Sequence, residues 1–143
     1  MNPNLIRIII AIFLIAHGWI HYSLTYVPTP KPGELRTPFW PSWQRSATDP
    51  AWLAVRLGFS NPLVRGLGSA LWLLTLAGFC LAGLGLLGIP GLQQTWMAAA
   101  GLGAVASLLL LVLYWHPWLF VGAAINVVVL VGLAVRWPQF LFA

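Results

Sequence analysis

The chain has 143 residues, of which 60% are hydrophobic and 6% charged, with a formal net charge of +5. A soluble domain carries roughly a quarter charged residues, so too few charges are present to cover a water-facing surface, and lipid is the expected solvent. The cations are scattered among apolar runs instead of clustering on one face, which argues against a nucleic-acid partner and suits headgroup contact at the ends of membrane spans.

The first predicted element is a span from Leu5 to Leu24, "LIRIIIAIFLIAHGWIHYSL". Its N-terminal part has one Arg before an apolar stretch but no small-x-small cleavage site, so an uncleaved span is expected instead of a signal peptide. A loop over residues 25–61 follows. "VPTPKPGELRTPFWPSW" is rich in Pro and Trp and is expected to lie extended on the membrane interface. Within the loop, "DPAWLAVRLG" predicts a short interfacial helix over about 50–57, with Asp49 as cap, Pro50 at its first position and Gly58 as its stop.

Three more spans come next: Leu67 to Gly88 with a helical lead-in from Pro62, Thr95 to Trp115, and Trp118 to Trp137. Each is close to the ~20 residues a helix needs to cross ~30 Å of hydrocarbon at ~1.5 Å per residue. The runs do not alternate as the strands of a barrel do. "IPG" at 89–91 and "HPW" at 116–118 are short breaks that make consecutive helices antiparallel neighbours. The expected fold is an all-α integral membrane protein, a single membrane domain over 1–143. Its four transmembrane helices form an up-down bundle, with a long interfacial loop between helices 1 and 2 and both termini on one side.

The loop region carries Lys31, Arg36, Arg45, Arg56 and Arg65, against Arg7, Arg136 and the terminal amine on the opposite side. The positive-inside count therefore places the loop in the cytoplasm, with the chain integral to the cytoplasmic (inner) membrane. Helices in lipid associate through close backbone approach and hydrogen bonds. The expected packing positions are Gly78 and Ala82 in the second span, Ala99, Gly103 and Ser107 in the third, and Gly122 in the fourth. Asn126 falls near mid-bilayer, where its amide wants a partner on another helix or a bound cofactor. Cys80 is the only cysteine, which leaves no intrachain disulfide, and it reads as a small packing residue. No Asp, Glu, Lys or Arg lies deep in a span, which disfavours small-molecule or lipid transport.

His17 and His21 are four residues apart and share a helix face. Antiparallel topology brings His116, after the third span, to the same end of the bundle. Glu34 and Asp49, the two carboxylates, belong to the loop at that end. Two readings stand side by side. The rings alternate with Trp19, Tyr22 and Tyr26 and so suit an interfacial anchor, with His116 capping carbonyls at a helix end. Alternatively His17, His21 and His116 hold a divalent metal, a haem or a chlorin, or meet a quinone together with Asn126.

"NLIRIIIAIFLIAHGWIH", followed by three further spans and the Gly-rich "LAGLGLLG", resembles the DoxX-like family of small four-helix bacterial membrane proteins, with Arg7, Gly18 and His21 at the matching positions. His21 stands where that family is expected to have Lys, and the Pro- and Trp-rich loop is longer than its usual one. The resemblance implies a membrane component associated with redox enzymes or quinone metabolism, without a catalytic set. The leading expectation is a small membrane accessory subunit of a larger respiratory or photosynthetic complex, with membrane lipids and other membrane subunits as its partners. It would act through helix packing and lipid or quinone contacts. The rival is a membrane protein that binds a cofactor or metal through its histidines.

Overall fold

The structure, a computed structural model, describes residues 2–25, 57–58, 61–113 and 119–141. The loop expected over 25–61, with its short helix, lies outside the described residues apart from its ends and Leu57–Gly58. His116, Glu34 and Asp49 lie outside them as well.

Among the described residues the fold has four α-helices: α1 (Pro3–Thr25), α2 (Asn61–Leu86), α3 (Trp96–Leu113) and α4 (Phe120–Ala134). Local chemistry sets their ends. Asn2 caps α1: its Oδ1 accepts the Asn4 N–H at 2.9 Å, and Pro3 fills the first helical position, where no N–H is needed. The lead-in expected from Pro62 is part of α2 itself, which runs unbroken for 26 residues.

Helix α2 stops in a left-handed cap at Gly88, φ 90°. The N–H of Ile89 reaches back to the Leu84 carbonyl, and that of Gly88 to Gly85. Pro90 and Gly91, φ 81°, then form the centre of a turn closed by Leu92 N–H to the Ile89 carbonyl at 3.1 Å.

The fourth span, expected over 118–137, is shorter as a regular helix. Helix α4 has 15 residues, about 22 Å at ~1.5 Å per residue, below the ~30 Å of hydrocarbon. A cap like that of α2 ends it: Arg136 takes φ 50°, and the Trp137 N–H bonds the Gly132 carbonyl at 2.9 Å. Hydropathy alone continues through this stop, because Val135 and Trp137 are as apolar as the helix before them.

Three helices, α1 to α3, are long and apolar enough to cross a membrane, and α4 is a shorter apolar helix. The chain is a multi-pass integral membrane protein. Helix α2 packs between α1 and α3, and α4 packs on α3. The seams are antiparallel. Along α1–α2, Arg7 meets Leu86 and His21 meets Trp72; along α3–α4, Ser107 meets Asn126 and Leu111 meets Gly122.

Between α2 and α3 the closest approach is backbone on backbone. A Cβ on Gly78 would stand 2.7 Å from Gly103 Cα and 2.8 Å from the Ala99 carbonyl. Between α1 and α2 the same part is played by Gly83, where a Cβ would stand 2.7 Å from the Ala11 carbonyl. A larger apolar cluster joins Ala11, Leu14, Phe79, Ala82, Trp96 and Ala104, and a smaller one joins Leu71, Trp72, Ala106 and Leu110. Arg7 closes one end of the bundle. Its Nε–H donates to the Leu86 carbonyl at 2.7 Å, satisfying an acceptor that the end of α2 leaves open.

Candidate functional site

Among the described residues four buried polar side chains gather in one layer, while a fifth, Thr75, donates to the Leu71 carbonyl of its own helix at 2.8 Å. His17 and His21 come from α1, Ser107 from α3 and Asn126 from α4. His17 is 6% exposed, His21 4%, and Ser107 and Asn126 0%. These values give the direction in which the two rings face. Both rings turn into the bundle, whereas Trp19 beside them is 59% exposed and faces out. An anchoring role suits Trp19 and not the histidines.

Aromatic packing holds the rings. His17 meets Phe79 edge-on at 4.9 Å and His21 edge-on at 4.9 Å; His21 also lies 5.2 Å from Trp72. His21 thus touches both apolar clusters, and the polar layer sits between them. Gly18 makes this possible, because a Cβ there would come within 3.1 Å of Phe79 Cβ and 3.2 Å of the Leu76 carbonyl. Phe13 stacks on the other side of His17, with centroids 6.1 Å apart and planes 8° apart, and is itself 47% exposed.

Hydrogen bonds give the layer a direction. His21 Nδ1 lies 2.8 Å from the His17 carbonyl, which only accepts, so Nδ1 carries a proton and donates. No carboxylate lies among the described residues to balance a charged imidazole, and the neutral ring leaves Nε2 as an acceptor. The Ser107 hydroxyl, 3.0 Å away, therefore donates to His21 Nε2. Its oxygen accepts in turn from Asn126 Nδ2 at 2.7 Å. The relay runs from α4 through α3 to α1, and each of its three bonds is satisfied at both ends.

Two atoms are left over. Asn126 neighbours His17, yet among the described residues neither His17 Nε2 nor Asn126 Oδ1 has a hydrogen-bond partner. A buried polar atom without a partner costs about 1–3 kcal/mol, and such atoms are few in folded proteins. Among the described residues, these two neighbouring atoms are the open hydrogen-bonding positions of the layer.

The other expected residues divide by role. Gly78, Gly103 and Ala99 form the α2–α3 seam, Ala82 is buried in the larger apolar cluster, and a Cβ on Gly122 would stand an ordinary 3.5 Å from Leu111 of α3. The stripe Ala99, Gly103 and Ser107 is therefore not a single packing face. Gly103 serves α2, while Ser107 bonds α1 and α4. Cys80 is half-buried, its Sγ 3.6 Å from where a Gly18 Cβ would be.

Among the described residues no three His, Cys, Asp or Glu side chains come together as a metal-holding group. Both ring nitrogens of His21 are engaged, so a metal or haem role there would first break one of those bonds. His17 Nε2 is the open nitrogen of the pair. Gly83, Gly18 and the Arg7 cap were not picked out as contacts in the sequence. Their signal is faint, because a Gly in an apolar helix does not announce which neighbour it faces.

No family model, curated protein or solved structure matches the chain.

Proposed function

We propose that this protein binds the polar head of a lipid-soluble small molecule, of the quinone or quinol kind, at the His17–Asn126 layer. The observation that carries the reading is a pair of buried atoms, His17 Nε2 and Asn126 Oδ1, that have no hydrogen-bond partner among the described residues, inside a bundle whose outer surface faces lipid. An amphiphile suits the site because the ring stacked on His17, Phe13, is half-exposed on the outside of α1. Kinship with the DoxX-like group, through Arg7, Gly18 and His21, agrees with a quinone-linked role and is part of the same proposal. The reading requires no catalytic residue.

The test is to purify wild type and His17→Phe from native membranes in mild detergent, extract both with organic solvent and identify the released small molecules by mass spectrometry. A ring-bearing lipid is expected in wild type and depleted in the variant. Equal amounts in both, or none in either, would overturn the reading.

A second reading, an accessory subunit of a larger respiratory or photosynthetic complex in the cytoplasmic membrane, is favoured by α4. That helix packs on α3, and Phe120, Val121, Val127, Val128 and Val131 are exposed along it. Partner proteins co-purifying at near-stoichiometric amounts would support it; recovery of the chain alone would remove it.

A further inference from the structure

The direction of the relay determines what kind of group the layer accepts. The His17 carbonyl forces the proton onto His21 Nδ1. That makes His21 Nε2 an acceptor and Ser107 its donor, so Ser107 Oγ must accept from Asn126 Nδ2. With Nδ2 held by Ser107, the Asn126 amide leaves its buried oxygen, without a hydrogen-bond partner among the described residues, as the open end of the relay. An amide oxygen accepts and never donates. A ligand carbonyl placed there would set two acceptors against each other. A hydroxyl fits instead: it donates to Asn126 Oδ1, and with His17 in its Nε2–H tautomer its oxygen accepts from that ring.

We infer that the His17–Asn126 layer selects a hydroxyl group over a carbonyl on an otherwise similar ring, so that the reduced, phenolic form of an amphiphile binds in preference to the oxidised form. The inference rests on the ligand reading above and adds to it the redox form of the ligand. A water could bring the same hydroxyl chemistry. The phenolic ring is the occupant argued for here, because Phe13, half-exposed on the outside of α1, lies parallel to the His17 ring with centroids 6.1 Å apart.

Ser107 is the positioning residue in this scheme. It does not touch the ligand but holds the amide in one orientation. Removing its hydroxyl frees Asn126 Nδ2, and the amide can then turn and offer a donor.

The experiment compares an alkyl hydroquinone with the matched alkyl benzoquinone, without oxygen, by titration into detergent-solubilised wild type, Ser107→Ala and Asn126→Leu. In wild type the hydroquinone is expected to bind at least about tenfold tighter, the size of one mismatched buried acceptor. In Ser107→Ala the preference should collapse or reverse while binding persists, which a purely structural role for Ser107 would not produce. In Asn126→Leu the preference should vanish. Equal binding of the two forms by wild type, or tighter binding of the benzoquinone, would overturn the selectivity and leave the ligand reading standing. Binding of neither form by wild type would overturn both and leave the seat to a water. A Ser107→Ala protein that keeps the full preference would overturn the positioning role even if Asn126→Leu fails to fold.

Discussion

The α2–α3 seam and the polar layer solve the same problem by opposite means. At the seam, Gly78 and Gly103 let two backbones touch, and no polar side chain is needed. In the layer, His21, Ser107 and Asn126 join three helices through directional bonds. The seam is complete in itself, whereas the layer leaves His17 Nε2 and Asn126 Oδ1 without partners among the described residues. Shape complementarity in lipid can close on itself, because every methylene finds another carbon. Hydrogen bonding is counted atom by atom, and an odd donor or acceptor calls for a partner. Function is therefore to be sought in the layer and stability in the seam.

The largest expected effect breaks the seam. Gly78→Leu puts a side chain where even a Cβ stands 2.7 Å from Gly103 Cα, and should cost about 3 kcal/mol of stability by overpacking. Denaturant or thermal unfolding in detergent would measure it, with Gly66→Ala as the matched control, since nothing lies within 4 Å of a Cβ there. Equal loss in the two variants would remove the distinction between a packed and an open glycine.

Ser107→Ala should come next, at about 2 kcal/mol, because it strips a partner from both His21 Nε2 and Asn126 Nδ2. A double-mutant cycle with His21→Phe should give a coupling of about 0.6–1.7 kcal/mol, the range found for hydrogen bonds within membranes. Strict additivity would mean that the layer is not a connected network.

The smallest effect is expected at the end of the bundle. Arg7→Met removes the donor to the Leu86 carbonyl and should cost about 1 kcal/mol, with part of it restored by Arg7→Lys. It should leave ligand retention unchanged, since Arg7 lies at the opposite end of α1 from His17 and His21. A loss of ligand in Arg7→Met would join two regions that the structure keeps apart.

Composition and span length were enough for the fold class, because a chain with 6% charge and repeated ~20-residue apolar runs has few ways to satisfy its backbone outside a helical bundle in lipid. Breaks at Gly88-Ile89-Pro90-Gly91 were legible for the same reason, since left-handed backbone and a missing N–H are properties of those residues alone. The stop of α4 at Arg136 was not, because its positive φ belongs to a residue with no such preference. His17 and His21 were visible as a pair on one face, and Asn126 as an amide in need of a partner. Only the tertiary structure decided that the face turns inward, that Ser107 of a stripe read as packing is the hub between them, and that two atoms have no partner among the described residues. Periodicity reports which residues share a face of one helix; which helix that face meets, and with what polarity its hydrogen bonds run, depends on atoms more than eighty residues away along the chain.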